Sequence, residues 1–106
     1  MKINSLKNSI IIVLDKKDSI NYLKSEINKS KYSNNNIIID LKNVVIKDFL
    51  LFFKTFENNQ KKKNKSLVFL TNNIDNNSED LNLVPTLKEA LDFIDLEEIE
   101  RDLNLL

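Results

Sequence analysis

The sequence predicts an α/β fold, a mixed β-sheet with helices packed on it, and three observations lead there. Short β-branched runs of strand length recur along the 106 residues. Between them lie segments whose apolar side chains repeat at the spacing of a helix face. The two kinds alternate, which is the order that builds a sheet with helical crossovers. A chain of this length is one domain, spanning 1–106, large enough to bury a core without covalent staples.

Residues 1–5 and 9–14 are β-favouring runs around Leu6-Lys7-Asn8, and read as a hairpin whose second strand, SIIIVL, is buried on both faces. Asp18 or Ser19 then caps DSINYLKSEINKS, where Ile20, Leu23 and Ile27 fall on one stripe of an amphipathic helix. After the break at SNNN, residues 36–41 (NIIIDL) form the best candidate for a central strand. The phenylalanines at 49, 52, 53 and 56 recur at i, i+3, i+4 and i+7, so a second helix follows Asp48, which is placed to cap it.

Residues 58–65 (NNQKKKNK) read as a polar break, and SLVFLT as another buried strand. The stretch 72–80 is polar and turn-forming, with NLV before Pro85 as one last short strand. Thr86-Leu87-Lys88-Glu89 is a T-x-x-E capping box. Behind it Leu87, Leu91, Ile94, Ile99 and Leu103 carry an apolar stripe toward the C-terminus. The predicted order is β-β-α-β-α-β-(β)-α.

Composition narrows function. Cysteine and histidine are absent, which removes disulfides, thiol nucleophiles, zinc-type sites and imidazole acid/base chemistry together. The remaining carboxylates form no convergent catalytic or metal motif, so the expectation is a protein that is not an enzyme and takes no cofactor. Glycine is also absent, so any positive φ must fall to asparagine or aspartate, and seventeen asparagines are available. The formal charge is zero but polarised: residues 1–65 hold fourteen Lys against six acids, a net +8, and residues 66–106 hold two cations against ten acids, a net −8. Such polarity marks either two solvated faces or a docking surface. The run KKKNK lacks interleaved aromatics and reads as a solvated loop, so no nucleic-acid partner is expected. Without a span long enough for a bilayer or a signal-peptide h-region, no membrane association is expected and the cytoplasm is the expected compartment.

With these elements in order, the chain resembles STAS domains, the fold of bacterial anti-sigma-factor antagonists. The words that carry the likeness are IIIDLKNV at 37–44, LKSE at 23–26 and VPTLKEALDFIDLEEIERDL at 84–103. The resemblance implies a signalling domain that docks on an anti-sigma factor or kinase-like regulator and is switched by phosphate on the serine of a D-S-S-G-L turn. Here Asp48 matches the aspartate of that turn, but Phe49 and Leu50 stand at the serine positions and Leu51 at the glycine, so no phosphosite remains. The family's helix between SLVFLT and LVPT is shortened or lost, which would uncover a strip of the sheet. Residues 95–106 read as an acidic helical extension beyond the core.

Asp48 is therefore either a helix cap or a partner-facing acid. Leu50 and Leu51 point away from the phenylalanine stripe, so all three are candidate partner-binding residues. The expected function is a STAS-like protein-interaction module without the regulatory phosphoserine. The alternative is a structural relic that forms a homodimer through the uncovered sheet and has no regulatory partner.

Overall fold

The antiparallel hairpin forms from β1 (Lys2–Ser5) and β2 (Ser9–Val13), closed by Leu6 N–H donating to Ser9 O at 2.8 Å. The structure, a computed structural model, describes residues 1–6, 8–29, 34–44, 49–72 and 81–104. After β2 come α1 (Ile20–Ile27), β3 (Asn36–Asp40), α2 (Leu50–Lys62), β4 (Leu67–Leu70), β5 (Leu83–Val84) and α3 (Leu87–Asn104), the order that the sequence predicts. The strands lie in one sheet in sequence order, with β2 to β5 parallel and β1 antiparallel at the edge.

The parallel register aligns apolar side chains into rows. Ile10, Ile37 and Leu67 stand abreast, as do Ile12, Ile39 and Phe69, and these rows join the core on the α1 and α2 side. Because side chains alternate along a strand, the intervening row of Ile11, Ile38 and Val68 faces the opposite side, beneath α3. Strands buried on both faces need runs such as IIIV and LVFL rather than alternation. The placement of α1 and α2 on one face also follows from topology. Successive parallel crossovers stepping the same way across a sheet put their helices on the same side when they share a hand.

Ser19 is the N-cap of α1, its hydroxyl accepting from Tyr22 N–H at 3.1 Å. Asp18 instead closes the turn before it, accepting from Asp15 N–H at 2.8 Å and pairing with the N-terminal ammonium at 3.0 Å. Along α2, Phe49, Phe53 and Phe56 are buried, and the Phe53 ring lies 4.6 Å from that of Phe69 on β4.

The polar break expected at 58–65 is not where α2 ends. The helix continues to Lys62, burying Gln60 and holding a Glu57–Lys61 ion pair at 3.3 Å. Lys61 and Lys62 in its last turn complement the negative end of the helix dipole. It stops where Asn64 takes φ 59°, with Asn64 N–H donating to Lys61 O and Lys65 N–H to Gln60 O. This is a Schellman motif in which asparagine occupies the usual glycine position.

In α3 the threonine half of the capping box forms, Thr86 Oγ1 accepting from Glu89 N–H at 3.2 Å. The stripe facing the sheet differs from the expected one. Ala90 and Ile94 are fully buried and Leu91 is half-buried, whereas Leu87, Ile99 and Leu103 are exposed. A small alanine lets the helix approach the sheet, and that approach fixes which face turns inward.

The second half of α3 is held by polar groups at the strand starts. Buried Asn36 donates to Asn8 O at 3.0 Å and to Glu98 Oε1 at 2.6 Å, and accepts from Ser66 N–H at 2.8 Å. Arg101 donates to Ser66 Oγ at 3.1 Å, and Gln60 donates to Asn35 O and Ser66 O. Thus α2, α3 and three parallel strands share one network, and residues 95–104 continue the same helix onto the sheet.

Between β4 and β5, residues 73–80 lie outside the described residues. The expected loss of a helix falls on those residues; beside them every β4 residue is buried, with Phe53 over Phe69 and Leu81 joining the same cluster. Among the described residues no helix is long and apolar enough to cross a membrane.

Candidate functional site

The segment joining β3 to α2 leaves the sheet through a turn in which Asp40 Oδ1 accepts from Lys42 N–H at 3.0 Å and Val44 N–H donates to Leu41 O at 3.2 Å. Asp48, expected to cap α2, lies outside the described residues. The N-cap position of α2 belongs to Phe49, which makes no side-chain cap bond while its carbonyl accepts from Phe53 N–H at 2.9 Å. Packing explains the choice. The Phe49 ring is buried and stacks on Phe53 with centroids 5.6 Å apart. Burying such a side chain contributes about 1.5–3 kcal/mol, against about 1 kcal/mol for a cap.

The two leucines that follow do not form an exposed pair. Leu50 is half-buried against the core, whereas Leu51 is 81 % exposed. A helix turns about 100° per residue, so with Phe49 and Phe53 facing inward Leu50 stays at the edge of the buried arc and Leu51 faces outward.

Leu51 stands at the rim of a groove of about 580 Å³ between α1 and α2. Ile20 and Ile27 of α1 and Phe52 and Phe56 of α2 give it apolar walls, and Asn28, Thr55 and Asn59 supply polar edges. Lys24 enters from α1 with its Nζ 5.4 Å from the Phe52 ring centroid, in cation–π geometry. Thr55 returns its hydroxyl to Leu51 O at 3.3 Å. Two walls of aliphatic and aromatic side chains without a converging polar cluster suit the apolar face of a helical segment. Among the described residues, no group of three or more His, Cys, Asp or Glu could hold a metal ion.

The α1 side of this groove is absent from the sequence-derived candidates, because a single stripe assigns Ile20 and Ile27 wholly to the core. Asn59 is missed because the helix was expected to end before it. The i, i+4 spacing of Glu57 and Lys61 is the signal that extends α2 far enough to include it.

Charge is divided between layers. Exposed Lys54, Lys61 and Lys62 lie on α2, and exposed Asp92, Asp95, Glu100 and Asp102 lie on α3 across the sheet. Comparison with models of known families, with curated proteins and with solved structures finds no match.

Proposed function

We propose that this chain is a non-enzymatic, STAS-like protein-interaction module, akin to anti-sigma-factor antagonists, that offers its α1–α2 groove to a protein partner and lacks a phosphorylation switch. The observation that carries this reading is Leu51, a large apolar side chain 81 % exposed at the rim of an apolar groove. Solvent gains nothing from such a residue, whereas burial against a partner returns its hydrophobic free energy. Phe49 and Leu50, at the positions of the family serines, carry no hydroxyl and face the core, so contact through the groove is constitutive.

The test is affinity capture from the native cell with wild-type protein and Leu51→Asp, read by mass spectrometry. A stoichiometric protein partner held by the wild type and lost with Leu51→Asp is the expected result. Equal capture by both variants would place the contact elsewhere. Incubation with a STAS-directed kinase should leave residues 49–51 unmodified, and stoichiometric phosphate on exposed Thr55 that weakened capture would overturn the switchless reading.

A further inference from the structure

The α1–α2 groove has a counterpart on the far side of the same molecule. Leu96, Ile99 and Leu103 are 57, 56 and 61 % exposed and stand at i, i+3 and i+7 on α3, turned away from the face where Ala90 and Ile94 meet the sheet. Leu51 apart, they are the most exposed large apolar side chains among the described residues. Four exposed acids, Asp92, Asp95, Glu100 and Asp102, flank them. An apolar stripe edged with carboxylates complements an apolar groove whose one charged lining residue is a lysine, Lys24.

We propose that a second copy of this chain fills the groove, the α3 stripe of one molecule lying between α1 and α2 of the next. This rests on reading the groove as a binding surface and specifies its occupant. Charge selects this arrangement over the symmetric one. Packing α3 on α3 would bring the same four acids toward one another, while α3 in the groove sets them against Lys24. The +8 and −8 segments of the sequence thereby meet between molecules as well as within one. Because groove and stripe are different surfaces, the contact is heterologous, and each open assembly keeps one free groove at one end and one free stripe at the other unless a ring closes.

The test uses the full chain in sedimentation velocity over a range of concentrations, with two variants altered at exposed positions, Leu51→Asp in the groove and Ile99→Asp in the stripe. Wild-type protein should grow in mass with concentration, less so as salt rises toward ~0.15 M and beyond. Each variant alone should associate roughly tenfold more weakly or worse. An equimolar mixture of the two should recover a 1:1 pair that does not extend, because the intact stripe of one meets the intact groove of the other. Thermal melts by circular dichroism confirm that both variants are folded. A mixture no heavier than its components, with wild type still associating, overturns the heterologous contact. A monomeric wild type whose captured partner is nevertheless lost with Leu51→Asp overturns self-docking and leaves the groove reading intact. Association and capture both indifferent to Leu51→Asp overturn the two together.

Discussion

Asn36, the first residue of the central strand, donates a 2.6 Å hydrogen bond to Glu98, a residue of the second half of α3. The contact joins positions 62 residues apart and makes the acidic end of the chain part of the structural frame. Asn36 also accepts from Ser66 N–H. Asn36→Ala should therefore destabilise the protein by about 1–3 kcal/mol, the cost of leaving a buried donor unpaired. Removing residues 95–106 should lower the melting temperature in the same direction, since Glu98 and Arg101 go together, while Ala90 and Ile94 keep the first half of α3 on the sheet. Urea melts of both variants check this. A truncated chain as stable as the wild type would show that the polar network contributes nothing net.

Burial separates the substitutions along α3. Ile94→Ala removes a fully buried side chain and should cost about 2–5 kcal/mol, whereas Thr86→Ala removes one cap bond and should cost about 1 kcal/mol. Leu91, only half-buried, should fall between them. The order Ile94, Leu91, Thr86 in denaturant midpoint is the checkable outcome.

Asn64 tests the chain's answer to having no glycine. At φ 59° a side chain with a Cβ is unfavourable, and asparagine tolerates it better than most residues. Asn64→Ala should lower stability by about 1 kcal/mol, and Asn64→Gly should be neutral or stabilising. Equal stability of the alanine and glycine variants would mean that this helix end does not require the left-handed conformation.

Asp18 gives a pH dependence with a definite sign. Burial pushes its carboxyl up, but the Asp15 backbone N–H and the hydrogen bond and charge of the N-terminal ammonium together hold it below the usual carboxylate range. The folded state thus favours the ionised form. Its contribution is present above the unfolded aspartate value of about 3.9 and is lost as pH falls through the lower folded value. Asp18→Asn should be less stable than wild type at neutral pH, with the gap closing in acid. Denaturant melts at a series of pH values would show it, and a gap unchanged down to strongly acidic pH would remove Asp18 from the account.

The sequence by itself determined the element order, the sheet and most of the core. Runs such as IIIV and LVFL can satisfy strands buried on both faces, and the phenylalanine spacing allows one helical face only. It also determined that asparagine would serve where glycine normally does, and that no phosphorylatable hydroxyl stands at 49–51. Tertiary structure decided what depends on neighbours distant in sequence. The end of α2 was hidden because NNQKKKNK is polar, and polarity does not reveal that Gln60 turns inward to reach Asn35 and Ser66. The inward face of α3 was hidden because leucine and isoleucine stand on both sides of that helix, and only the sheet chose Ala90 and Ile94. The groove belongs to the same class. Its walls come from two helices separated by a strand, and no local pattern in either one shows that Leu51 and Ile20 line the same space.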